Sequence, residues 1–183
     1  MIAKFRTMRH SSQAGGLEDL IRHINGISPT KSMSLIEIGA YTGESTSIFC
    51  RHFASVVTVD PFLDNYDPKD SACRHAPMSE VFAEFRKRMS KHENYRLIKK
   101  KSDDAIKDLS AAKFDVLYVD GMHQYEQVTR DILNFSDLIK VGGFIAGHDY
   151  CDGWSGVVKA VNECCGKPEK VFRDTSWIIR KIG

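Results

Sequence analysis

Short runs rich in β-branched and other apolar residues alternate along this chain with longer segments whose apolar residues recur at helical spacing. Such alternation predicts repeated βαβ units, because a parallel strand can follow its neighbour only after a crossover, and the usual crossover is a helix. Strands are expected at Ser34–Ile38, Ser55–Val59, Tyr95–Ile98, Asp115–Val119, Gly143–Ala146, Lys170–Phe172 and Ser176–Arg180. Helices are expected at Ser45–Phe53, Ser79–Met89, Asp103–Leu109, Gln124–Ile139 and Ser155–Cys165. An earlier helix carries Leu17, Leu20, Ile21 and Ile24 on one face before Gly26 and Pro29 end it. The last helix stops at Gly166, and the two runs beyond it are separated by a short turn at Asp174, which predicts a hairpin. The expected fold class is α/β: a mostly parallel seven-stranded sheet with helices on both faces and a C-terminal antiparallel hairpin.

The 183 residues contain no internal repeat, low-complexity tract or linker, so one domain over 1–183 is the simplest division, with 1–33 as a helical flank. Residues 61–78 stand apart. With Pro61, Pro68 and Pro77 among Asp64, Asp67 and Asp70, they read as a long loop over a site. A formal net charge of +2 is not the basic footprint of a nucleic-acid binder. Apolar runs such as Val116 to Val119 are far too short to cross a bilayer, which takes roughly 20 residues. The N-terminal Met1 to Gly16 lacks the apolar stretch of a secretory signal, so a cytoplasmic location is expected. Five cysteines, an odd number without a CxxC pair, are expected as reduced thiols.

Chemistry concentrates after three strands. The segment from Leu35 to Ser45, LIEIGAYTGES, is an apolar strand, a glycine turn and a helix start, an arrangement that brings backbone close to a ligand and offers free N–H groups to an anion. Tyr41 occupies the place of the second glycine in a dinucleotide fingerprint, the one that admits a pyrophosphate, so a dinucleotide is disfavoured. Asp60 ends the second strand, where an acidic side chain meets the ribose of an adenosine ligand. Asp120 to Tyr125 follow the fourth strand and Gly147 to Asp152 the fifth, so both should flank one crevice at the strand ends. Asp120, His148 and Asp149 there can bring two carboxylates and an imidazole to a divalent cation, Mg²⁺ or Mn²⁺ before Zn²⁺ in the absence of thiolates. His123 is then left as a general base.

These blocks, EIGAYTGEST from Glu37, DGMHQY from Asp120 with Asp131, and GGFIAGHDY from Gly142, resemble class I S-adenosylmethionine-dependent methyltransferases, and within them the small macrocin-type sugar O-methyltransferase group. The resemblance spans roughly Leu35 to Val161 and implies a Rossmann-like seven-stranded sheet with a reversed C-terminal hairpin. It further implies that Glu37, Gly39 and Gly43 line the methionine part of S-adenosyl-L-methionine, Asp60 the ribose, and Ser102 and Asp103 the adenine edge, with Tyr41 also binding the cofactor. Asp120, His148 and Asp149 would hold Mg²⁺, and the acceptor would be a small molecule or a sugar.

In such a reaction the sulfonium methyl is already activated, so the protein aligns an acceptor hydroxyl and removes its proton. Asp120, His123 and His148 are the expected catalytic residues. A nicotinamide-dependent oxidoreductase would share the crevice but leaves the two His/Asp clusters without a use. A non-catalytic binding protein on the same fold stays open, because fold does not imply activity. Self-association into a homo-oligomer is also open.

Overall fold

The computed structural model describes residues 11–67, 74, 76–109 and 111–182. The basic N-terminal segment 1–10, and Pro68, Asp70, Cys73 and His75 in the expected loop, lie outside the described residues. The strands are β1 (Ser34–Ile38), β2 (Ser55–Val59), β3 (Tyr95–Ile98), β4 (Phe114–Val119), β5 (Ile139–Gly147), β6 (Lys170–Val171) and β7 (Trp177–Arg180). The α-helices are α1 (Ser11–Asn25), α2 (Glu44–His52), α3 (Met78–Met89), α4 (Ser102–Ala105), α5 (Tyr125–Ser136) and α6 (Ser155–Cys165).

The seven strands form one sheet in the order β3-β2-β1-β4-β5-β7-β6. The pairs β1/β2, β2/β3, β1/β4 and β4/β5 are parallel, whereas β5/β7 and β6/β7 are antiparallel, as the hairpin requires. Strand order reverses between β1 and β4, so loops leaving these neighbours diverge to opposite faces and leave a crevice at their carboxyl ends.

Period-two alternation sorts the apolar side chains into two cores. Leu35, Val56, Val116, Tyr118 and Phe144 face α1, α2 and α3 through Leu20, Ile24, Phe49, Val81 and Phe85. Ile36, Ile38, Leu117, Val119 and Ile145 face α4, α5 and α6 through Ala105, Val128, Ile132, Phe135, Val157 and Val161. Both sheet faces are thereby covered, which is why β4 reads as an almost unbroken apolar run.

Three elements differ from the sequence expectation. The helix expected through Ile139 ends at Ser136, and Ile139 instead opens β5 by pairing with Phe114. Register then jumps from that pair to Val116 with Phe144, so β5 bulges at Lys140–Gly143. Gly142 (φ 81°) takes the left-handed turn there, and a Cβ on Gly143 would lie 2.6 Å from the Asp115 carbonyl oxygen. The helix expected at Asp103–Leu109 is a four-residue α4 continued as a 3₁₀ turn over Ile106–Asp108. Among the described residues, Cys50, Cys151, Cys164 and Cys165 are free thiols, and no helix is long and apolar enough to cross a membrane.

Candidate active site

The β1–α2 turn is built around close approach of backbone. Gly39 adopts φ 92°, and a Cβ there would lie 2.1 Å from the Asp120 carbonyl oxygen. The ends of β1 and β4 therefore touch at a point that only glycine can occupy. Tyr41 follows with φ 46°, a conformation that a side chain seldom adopts without support from its surroundings. Asp60, at the end of β2, supplies that support. Its Oδ2 accepts the N–H groups of Ala40 and Tyr41 at 2.8 and 3.0 Å, and its Oδ1 accepts that of Phe62 at 2.7 Å. Burial raises the Asp60 carboxyl above its ordinary range, against the pull of those three donors.

Glu37 does not reach the crevice. Strand parity turns it to the same face as Leu35, where it is fully buried and accepts hydrogen bonds from Ser45 (2.5 Å), Thr46 (2.5 Å) and Thr58 (2.7 Å). Burial pushes its carboxyl up to about 7, the three hydroxyl donors offsetting only part of the shift. Gly43 also stays outside the cavity. It caps α2 at φ 78°, and a Cβ there would press on Phe85 at 2.9 Å. The ligand contacts expected of Glu37 and Gly43 are thus replaced by support of the turn from below, because strand parity and the packing of α3 aim both away from the crevice.

A cavity of about 430 Å³ opens at the carboxyl ends of the parallel strands. Gly39, Ala40, Tyr41, Asp60, Ser102 and Asp131 line it, together with Asp120, His123, His148, Asp149 and Trp154. Ser102 Oγ and Asp131 Oδ1 both accept from the Gln127 amide, at 3.0 and 2.9 Å, and burial pushes the Asp131 carboxyl up to about 6. Asp103 is not among the lining residues. Half exposed, it pairs with Arg130 at 3.3 Å.

In the acid–imidazole cluster, His123 Nε2 lies 2.8 Å from Asp149 Oδ2, and His148 Nδ1 lies 3.1 Å from Asp149 Oδ1 and 3.7 Å from Asp120 Oδ1. Burial alone would raise the Asp149 carboxyl, but the hydrogen bonds and charges of the two imidazoles hold it well below the usual carboxylate range. Asp149 also carries φ 62°, backbone strain placed at the cluster itself. Asp120, His123 and Asp149 each bring one ligand atom within 4.8 Å of the others. A hard divalent cation with ligands at about 2.1 Å and water in its remaining positions would need these atoms to draw slightly closer together. The imidazole in this group is His123, expected as the base; His148, expected as the ligand, also lines the cavity, with its Nδ1 close to both carboxylates.

Two neighbours of His123 went unassigned in the sequence. Trp154 stacks on its ring, with centroids 4.0 Å apart and planes 21° from parallel. Asp67 accepts its main-chain N–H at 3.1 Å. The only sequence signal for Asp67 was its place in an aspartate-rich loop, and for Trp154 its position at the start of the last long helix.

Residues 36–150 match a family described as a methyltransferase domain, a span that contains the glycine turn, Asp60 and both acid–imidazole clusters. The chain belongs to this methyltransferase-domain family. Its fold is shared with solved methyltransferases of low identity. The O-methyltransferase NovP is 18% identical with TM-score 0.62, the alignment covering 94% of this chain and 80% of NovP. CalS11, a TDP-rhamnose 3′-O-methyltransferase of calicheamicin biosynthesis, is 13% identical with TM-score 0.59, covering 92% and 79%. An rRNA methylase from Streptococcus thermophilus is 10% identical with TM-score 0.63, covering 97% and 100%. No curated protein matches by sequence. At these identities the likeness is one of fold, so the reaction has to be argued from the site.

Proposed function

We propose that this methyltransferase-domain protein transfers the methyl group of S-adenosyl-L-methionine to a hydroxyl of a small-molecule or sugar acceptor, with help from a divalent cation and a histidine base. The observation that carries this reading is the acid–imidazole cluster of Asp120, His123, His148 and Asp149, which shares one cavity with the glycine turn. S-Adenosyl-L-methionine, when bound, supplies an electrophilic methyl that needs no further activation.

The turn at Gly39–Tyr41 would lie against the methionine part. Asp60 spends three of its roughly four acceptor positions on backbone, leaving one on Oδ1 for a ribose hydroxyl. Ser102 and Asp131 give the adenine end polar atoms already ordered by Gln127. Asp120 and Asp149, with His148 beside them, would hold Mg²⁺ or Mn²⁺, which supplies positive charge where an acceptor oxygen loses its proton. His123 would take that proton at Nε2, which meets Asp149 Oδ2 at 2.8 Å in the ligand-free chain and has to leave that carboxylate to act as the base. Trp154, flat against the imidazole, fixes the ring plane and shields it from water on that face.

The small-molecule acceptor is supported by the near-neutral charge of +2 and by a concave cavity of a size that suits a ligand of a few rings. The test is calorimetry with S-adenosylhomocysteine and with NAD, followed by methyl transfer to a panel of sugar and phenol hydroxyls with Mg²⁺ or with EDTA. Binding of S-adenosylhomocysteine alone, and turnover that EDTA abolishes, is the expected result. Binding of NAD in its place would overturn the reading; binding without turnover on any acceptor would make this a non-catalytic member of the fold.

A further inference from the structure

The segment from Asp60 to Asp67 borders the cavity and is pinned by three aspartates. Asp60 Oδ1 accepts the N–H of Phe62 at 2.7 Å, Asp64 Oδ1 accepts that of Met78 at the start of α3 at 2.8 Å, and Asp67 Oδ2 accepts that of His123 at 3.1 Å. Phe62 anchors the segment from within, its ring 4.8 Å from Phe82 and 5.4 Å from Phe85. Asp67, a loop carboxylate, is as a result 2% exposed. Burial of a carboxylate is costly unless it meets donors, and His123 supplies one: the oxygen that accepts its main-chain N–H also lies 3.5 Å from its Nδ1.

The imidazole of His123 is thus bounded on three sides. Asp67 stands at Nδ1, Asp149 at Nε2, and the Trp154 indole covers one face. The first of these contacts comes from the loop, and the same carboxylate accepts the His123 main-chain N–H and borders its ring. We propose that Asp67 is the positioning residue for His123, a loop carboxylate that holds its main-chain N–H and borders its Nδ1 edge and so keeps Nε2 on the Asp149 side of the cavity. The arrangement follows the general logic in which a base is oriented by a third group. The proposal rests on the reading of His123 as the base. It also assigns the loop a part in catalysis.

The experiment is NMR of the ligand-free full chain with labelled histidine. The His123 ring protons lie over the Trp154 indole and are displaced upfield by its ring current, and His123→Gln identifies their resonances. Asp67→Ala removes both contacts, whereas Asp67→Asn keeps an acceptor for the main-chain N–H and removes the charge. In Asp67→Ala the upfield displacement is lost, and exchange of the His123 amide quickens by about 10-fold, as expected for one main-chain hydrogen bond. In Asp67→Asn the amide stays protected while the ring displacement is reduced. Ring shifts in Asp67→Ala that match wild type overturn the proposal. Should Asp67→Ala lose the dispersed signal of the buried Trp177, Asp67→Asn decides, and an unreduced displacement there overturns it. Calorimetry with S-adenosylhomocysteine judges the functional reading separately: a wild type that fails to bind it removes that reading, while the ring measurement still decides the role of Asp67.

Discussion

Glu37 offers a test of how the site is held from beneath. Its carboxyl is fully buried, and burial pushes it up to about 7 from an ordinary 4.5. As pH rises, the unfolded chain therefore releases this proton first, near pH 4.5, while the folded chain retains it until about pH 7. For this group stability is greatest below pH 4.5, falls between 4.5 and 7, and is level above. A shift from 4.5 to about 7 at about 1.4 kcal/mol per pH unit corresponds to roughly 3 kcal/mol lost across that window, most of it between pH 5 and pH 8. Glu37→Gln keeps the shape and an acceptor oxygen for Ser45, Thr46 and Thr58, whose hydroxyls can also rotate to accept from the new amide.

Urea unfolding of wild type and Glu37→Gln at pH 5 and pH 8 isolates the effect. Other titrating groups shift stability with pH as well: burial also raises Asp60, Asp131 and the Cys50 thiol, and lowers His52. They are common to both proteins and cancel in the double difference. Wild type should lose about 2–3 kcal/mol more than the variant on going from pH 5 to pH 8. Equal slopes with pH in the two proteins would refute the argument, because they would mean that Glu37 ionises at its ordinary pH despite its burial.

Asp60→Ala removes the acceptor of three main-chain N–H groups and should cost about 2–4 kcal/mol of stability. Calorimetry with S-adenosylhomocysteine should also register a weaker complex; destabilisation with unchanged affinity would confine Asp60 to holding the turn. Gly39→Ala combines a left-handed φ with a Cβ 2.1 Å from the Asp120 carbonyl oxygen, and should destabilise by on the order of 3 kcal/mol, read from the denaturation midpoint. His123→Ala should leave S-adenosylhomocysteine affinity intact and lower kcat by about 10²–10⁴-fold once an acceptor is in hand. Loss of Mn²⁺ affinity in that variant, followed by electron paramagnetic resonance, would instead make His123 a metal ligand with Asp120 and Asp149.

Local pattern carried the architecture. A strand buried on both faces is apolar throughout and a helix repeats every 3.6 residues, so the seven strands and the long helices are legible without any contact being known. The hairpin is legible because the two runs lie only a short turn apart. For the same reason Asp60, Asp120, His123, His148 and Asp149 stand out: each follows a strand, and parallel strands of one sheet end on one edge. Two boundaries were not legible. Ile139 fits the end of a helical stripe and the start of a strand equally well, and pairing with Phe114 decided between them. The break of α4 into a 3₁₀ turn left no mark in the periodicity.

Tertiary structure alone decided what each side chain does. Glu37 is conspicuous beside the glycines, yet strand parity sends it to the opposite face from Ile36 and Ile38, onto the hydroxyls of α2 and β2. His123 meets Asp67, Asp149 and Trp154 only because β4, β5 and the loop after β2 converge at one sheet edge. Periodicity specifies which way a residue points relative to its neighbours along the chain. Which groups lie within 3 Å of one another depends on strand order, the bulge in β5 and the path of the loop, and these are set by packing between segments far apart in sequence.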